Sequence, residues 1–137
     1  MIVVSNTSPV IAFGKLNRFS ILEAVFGKII IPSYVFLELN NLKYKDEINL
    51  KESVFKTEEI SFVDPLLEKE LDRREAEAIT LALKKNADWL IIDERKGRNI
   101  AKNVYGINVI GTAGILLKAK ESGIINQVSP LLQELKK

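Results

Sequence analysis

The 137-residue chain has neither cysteine nor histidine, and only one tryptophan and one methionine. Without cysteine there is no disulfide, no thiol nucleophile and no thiolate metal site, which suits a reducing compartment. The missing histidine excludes more. Ser-His-acid and Cys-His catalysis both require an imidazole, and the common zinc sites require His or Cys. Any chemistry must therefore rest on carboxylates, hydroxyls, amides, Lys, Arg or Tyr. No apolar run approaches the roughly 20 residues needed to cross a bilayer, and the N-terminus lacks a basic stretch followed by a long apolar one. A cytoplasmic protein with no membrane partner is expected. Internal repeats, low-complexity tracts and Gly/Ser-rich linkers are also missing, so residues 1–137 read as a single domain. There is no GxxxxGK[ST] or GxGxxG loop, which argues against a nucleotide cofactor.

Hydrophobic residues make up 47% of the chain, enough for one core, and 20 basic residues face 18 acidic ones for a net charge of +2. The distribution is uneven. Residues 41–74 hold seven basic and nine acidic side chains, whereas residues 84–120 hold eight basic and three acidic. If folding gathers the second block on one face, a phosphate backbone can dock there; otherwise these charges are a set of solvated helix faces.

Apolar strands are expected at residues 2–5, 28–31, 89–92 and 107–110, each followed by a helical pattern. That alternation is the signature of βα units feeding a parallel sheet, and the fold class is α/β. Ser8 with Pro9 is expected to open the first helix, Gly27 to end the pattern RFSILEAVF, and Pro32-Ser33 to open the next helix. Gly106 and Gly123 are expected to stop later helices, and Thr112 to cap the last of these. Residues 43–65 are charged and harder to interpret, with VFKTEEISFV a possible edge strand.

With imidazole and thiol excluded, the question becomes which carboxylates converge. Asp93 directly follows WLII and so stands at a strand end, where open α/β sheets keep their crevices; it could equally cap the helix beginning at Glu94-Arg95. Asn6 holds the corresponding place after the first strand. Glu38, in IPSYVFLELN, borders the buried stripe marked by Val35 and Leu39, although an acid beside an apolar face is often a surface residue. Glu75 heads EAEAITLALKK above Ile79 and Ala82, which aims it at the end of the sheet; complementing the helix dipole is a sufficient alternative reason for it. Glu77 and Glu94 are expected to face solvent. Convergent carboxylates repel unless a cation neutralises them, and an oxygen-only set selects hard ions, Mg²⁺ or Mn²⁺. Such ions beside a basic surface can activate water against a phosphodiester.

The ordered segments SNTSPVIAFGKL, IPSYVFLEL, REAEAITLAL, ADWLIIDERKGRNIAK and VIGTAGILLKAKESGII resemble the PIN-domain superfamily over nearly the whole chain. The resemblance is strongest to the VapC-toxin-like branch of small prokaryotic PIN-like proteins of unknown function. It implies a three-layer α/β/α fold around a central, mostly parallel sheet. It also implies a ribonuclease dependent on Mg²⁺ or Mn²⁺, with Glu38, Glu75 and Asp93 as the acids that hold the metal and catalyse, and Asn6 where the family's first Asp usually stands. Thr7, Ser8 and Thr112 would support these, and Arg95, Lys96, Arg98 and Lys102 would attract the RNA backbone. An antitoxin covering the site and a homodimer follow from the same resemblance. Asn6 is a departure with physical weight: an amide in place of an acid lowers the full charge of the four-residue set from −4 to −3, yet still offers one carbonyl oxygen to a hard cation. The competing expectation is a degenerate PIN domain that binds RNA or a protein without cutting. A receiver-like domain fits the alternation but not the Asn-Thr-Ser that follows the first strand.

Overall fold

The computed structural model describes residues 1–41 and 54–136. Five strands, β1 (Val3–Ser5), β2 (Ile29–Pro32), β3 (Phe55–Glu58), β4 (Trp89–Ile91) and β5 (Val109–Ile110), form one sheet in the order β3-β2-β1-β4-β5, and every pairing is parallel. The helices described are α1 (Thr7–Lys15), α2 (Phe19–Phe26), α3 (Ser33–Asn41), α4 (Pro65–Glu70), α5 (Arg73–Lys85), α6 (Arg95–Asn103), α7 (Thr112–Glu121) and α8 (Ser129–Leu135). The expected edge strand exists and lies outermost beside β2, while the first part of the charged segment, through residue 53, falls outside the described residues.

The central strands β1, β2 and β4 are largely buried on both faces, which is why they read as continuous apolar runs, whereas the edge strand β3 leaves Lys56 and Thr57 exposed. Successive side chains still point to opposite faces. Val3, Ile29, Ile31 and Ile91 pack with Val10, Phe13, Leu22, Val35 and Leu116 on one side. Val4, Leu90 and Ile92 pack with Leu67, Ile79, Leu81 and Ala101 on the other. Helices therefore cover both faces, giving the α/β/α layering. Among the described residues no helix is long and apolar enough to cross a membrane.

Punctuation follows the expected chemistry at most helix ends. Gly27, Gly106 and Gly123 all take positive φ, at 78°, 68° and 78°, after α2, α6 and α7, a conformation that glycine adopts without a Cβ penalty. The start of the first helix differs from expectation. Its N-cap is Asn6, so Ser8 and Pro9 lie inside the first turn, where a missing proline N–H leaves no hydrogen bond unmade. At the other end of the chain Gly111 is the N-cap of α7, and Thr112 is the first helical residue.

The strand order fixes where a ligand can enter. Order reverses between β1 and β4, the first strand running on to β2 on one side and meeting β4 on the other. Crossovers leave this point in opposite directions, opening a crevice at the carboxyl ends of these two strands.

Candidate active site at the β1–β4 switch point

Asn6 follows the last residue of β1, and its backbone N–H donates to the Ile91 carbonyl of β4 at 3.0 Å, which pins it into the crevice. An asparagine at an N-cap ordinarily turns its side-chain oxygen back onto the amides of the first turn. Here it makes no capping bond. The residue is 3% exposed, and its Oδ1 is buried without a hydrogen-bond partner. An orphaned buried acceptor costs about 1–3 kcal/mol. A hard cation is the partner that a lone, inward carbonyl oxygen suits.

Glu75 stands beside it in the first turn of α5. It is 6% exposed, and its carboxyl is pushed up to about 7, chiefly by burial and then by the neighbouring Asp72; Arg74 and a hydrogen bond from the Asn6 side chain act in the opposite direction. Asp72 caps α5, accepting the Glu75 backbone N–H at 3.1 Å. Burial works to raise Asp72 too, but hydrogen bonds from the Glu75 carboxyl and Arg74, with the Arg74 charge, hold it down to about 2. Between those two values the pair therefore carries one proton, on the Glu75 side, and that proton is leaving as pH passes neutrality.

Glu38 reaches the same place from α3. The Thr7 hydroxyl donates to its Oε1 at 2.8 Å, joining the start of α1 to the end of α3. Between Glu38 and Glu75 lies Arg74, whose Nε is 3.7 Å from Glu38 Oε2 and 3.8 Å from Glu75 Oε2, while its Nη2 binds Asp72 at 2.8 Å. Sequence reasoning missed Arg74 and Asp72 as members of this cluster. The Asp72-to-Glu75 spacing of a capping box was the available signal.

Asp93 approaches from β4, exposed and two residues beyond the strand's end. It does not cap α6. Glu94 does so, accepting from the Lys96 and Gly97 amides at 3.0 and 2.7 Å. Asp93 instead turns to α7, taking the Thr112 N–H on Oδ1 and the Thr112 hydroxyl on Oδ2, each at 2.6 Å. The arrangement is tight, since a Cβ added at Gly111 would lie 2.7 Å from Asp93 Oδ1 and 3.2 Å from Arg98 Nη1.

The structure thus joins Asn6 to Glu75, Thr7 to Glu38, and Glu38 to Glu75 through Arg74, and it ties Asp93 to Thr112. It records no direct bond between Asp93 and the other acids, and among the described residues no three acidic side chains gather into a metal cluster by themselves. Ser8 is exposed, with no side-chain partner among the described residues. Glu77 corrects the expectation of a solvent residue: it is 4% exposed and accepts from Arg73 Nε at 2.8 Å. Arg73 in turn sits 4.5 Å over the ring of Tyr34 while its side chain stays mostly exposed, so the buried acid is paired with a cation at the surface.

Of the basic residues, Arg95, Arg98 and Lys102 line one cavity of about 500 Å³ that also contains Asp93. Positions 95, 98 and 102 recur on one helical face. Lys96 is off that face and pairs with Glu70 at 3.3 Å.

Over residues 2–137 the chain matches the model of a family described as a PIN domain, and it belongs to that family. No curated protein and no solved structure compared with it matches.

Proposed function

We propose that this PIN domain is a divalent-metal-dependent endoribonuclease of the VapC-like kind, working in the crevice between β1 and β4 on a single-stranded or structured RNA. The observation that carries the proposal is the buried, partnerless Oδ1 of Asn6, set against the Glu75 carboxyl at the switch point of the sheet. Asn6, Glu38, Glu75 and Asp93 would hold Mg²⁺ or Mn²⁺. The oxygen-only donors and the orphaned amide suit a hard ion. Such an ion, when bound, supplies positive charge that neutralises phosphodiester oxygens and acidifies a water.

The remaining roles belong to the chain. Thr7 fixes the rotamer of Glu38 and Thr112 that of Asp93, so both carboxylates are positioned before substrate arrives. Burial pushes the Glu75 carboxyl up to about 7, so on the acid side of neutrality its proton relieves repulsion with Asp72, and a bound cation would favour its ionised form. Arg95, Arg98 and Lys102 attract the polyanion to the Asp93 side. Hydrolysis breaks one P–O bond of the backbone, the water oxygen taking its place on phosphorus. An antitoxin that covers the crevice and a homodimeric state belong to the same proposal.

Incubating single-stranded RNA with the protein and Mn²⁺, beside an Asp93→Ala control, tests it. Cleavage that vanishes in the control is expected; equal cleavage by both sinks the assignment. A second reading, a PIN domain that binds RNA without cutting, is favoured by one observation: Arg74 already places a cation against Glu38 and Glu75. RNA binding with no Mn²⁺ uptake up to millimolar concentration would select it.

A further inference from the structure

The cavity of about 500 Å³ beside Asp93 is within the range of small-ligand pockets, and its walls are unusual for a mere groove between a helix and a sheet edge. Arg95, Arg98 and Lys102 form no ion pair among the described residues, and the only acid in the lining, Asp93, is engaged by Thr112. The cavity therefore presents unneutralised positive charge. Its other polar groups are two amides, Asn99 and Asn108, each carrying a donor and an acceptor. The single side-chain bond found for Asn108 is a long one, 3.4 Å from Nδ2 to the Asp88 carbonyl, which leaves its Oδ1 open. Trp89, Ile107 and Val109 complete the lining with apolar surface. Lys118 Nζ lies 5.3 Å from the centroid of the Trp89 ring and helps fix it in place.

Charge, amides and apolar surface in one cavity fit a ligand with an anionic end and a flat, edge-polar body. We propose that this cavity is a subsite for one nucleotide of a single-stranded substrate, adjacent to the phosphodiester at Asp93. Its phosphate lies along Arg95, Arg98 and Lys102, and its base is read by Asn99 and Asn108. Asparagine amides discriminate bases through paired donor and acceptor contacts, whereas arginine and lysine contacts to phosphate carry no sequence information. The basic side chains thus supply affinity and the two amides supply base preference. This inference rests on the nuclease reading for its substrate but makes its own demand, that binding sense the base when no metal is present.

Trp89 is the only tryptophan in the chain and lines this cavity, so the protein's tryptophan emission comes from one site at its wall. The experiment titrates the full chain in EDTA with 2′-O-methyl RNA heptamers of each base, an abasic heptamer, nucleoside monophosphates and inorganic phosphate, following Trp89 emission and anisotropy. Base-bearing heptamers are expected to shift the emission and to bind at least fivefold tighter than the abasic strand, with one base preferred. The double variant Asn99→Ala/Asn108→Ala is expected to erase that preference and leave abasic binding intact. Lys102→Gln should weaken both strands about five- to tenfold. These three positions are exposed, and circular dichroism of each variant checks that it folds. An unmoved Trp89 signal, equal affinity for abasic and base-bearing strands, or an unchanged double variant overturns the subsite. So does mononucleotide binding as tight as heptamer binding, which would mark a free-nucleotide site instead. Base-sensitive binding without Mn²⁺-dependent cleavage would uphold the subsite while removing the nuclease reading; cleavage with a silent Trp89 would do the reverse.

Discussion

Thr112 holds both carboxylate oxygens of Asp93, its backbone N–H on one and its hydroxyl on the other, each at 2.6 Å. One residue at the start of α7 thereby sets the orientation of an exposed acid at the end of β4. Charge-assisted bonds of this kind contribute roughly 1.5–3 kcal/mol when buried, and less at this partly exposed pair. Thr112→Val keeps the backbone bond and loses the hydroxyl. Its expected signature is a loss of about 1 kcal/mol in urea unfolding and a cleavage rate about tenfold lower. Gly111→Ala approaches the same carboxylate sterically, because the new Cβ would press 2.7 Å from Asp93 Oδ1 while the glycine's φ of −103° suits any residue. It should reduce cleavage further than Thr112→Val does. Wild-type rates in both variants would remove Asp93 from the site.

Arg74 stands where it competes with any metal for Glu38 and Glu75. Two unit charges about 4 Å apart repel by roughly 4 kcal/mol at an effective dielectric near 20, and the exposure of Arg74 reduces this. Arg74→Met keeps the aliphatic stem and removes the charge. Calorimetry at pH 8 should then show Mn²⁺ binding about tenfold tighter than in the wild type, a change of about 1.4 kcal/mol. Unchanged or weaker binding would mean that Arg74 braces the acids instead of rivalling the ion.

The Glu75 carboxyl links this site to pH. In the folded protein it titrates at about 7, against 4.5 for an unperturbed glutamate. Between those values the folded state keeps a proton that the unfolded chain has released. The associated stability is whole below pH 4.5 and is lost as pH rises through about 7. Asp72 behaves oppositely: lowered to about 2, it contributes stability above pH 3.8 that disappears as pH falls towards 2. Urea unfolding in EDTA between pH 4.5 and 8 should show stability declining with pH in the wild type. Glu75→Gln, which carries no titrating proton, should flatten that decline. A variant with the same slope as the wild type would assign the pH dependence elsewhere.

The parallel sheet was legible because its central strands, buried on both faces, appear as uninterrupted apolar runs, and because most helix ends carry their own punctuation. Asn6, Glu75 and Asp93 were legible for the same reason, since their positions depend only on where a strand stops or a helix starts. What was not legible depends on two elements meeting. The inward place of Glu77, and the stacking of its partner Arg73 of α5 over Tyr34 of α3, depend on how the helices meet. The place of Arg74 requires α3 to deliver Glu38 beside the first turn of α5. Lys96, by contrast, is set apart from Arg95, Arg98 and Lys102 by helical spacing alone, and its ion pair with Glu70 of α4 agrees with that separation.

Asn6 gives the most direct test of the site's charge. Asn6→Asp restores an anionic oxygen where the amide Oδ1 now lies buried without a partner. Without metal, that carboxylate would sit in a desolvated crevice against Glu75 and Asp72, and like charges held together out of water are unfavourable. The variant should unfold in EDTA at a temperature several degrees below the wild type. Mn²⁺ reverses the order, because an added anionic ligand tightens ion binding and any ligand of the folded state raises its stability by mass action. At millimolar Mn²⁺ the variant should match or exceed the wild type in melting temperature and cleave RNA faster. Destabilisation that added Mn²⁺ does not relieve would show that the Asn6 oxygen faces no cation, and the proposed metal centre would lose its principal support.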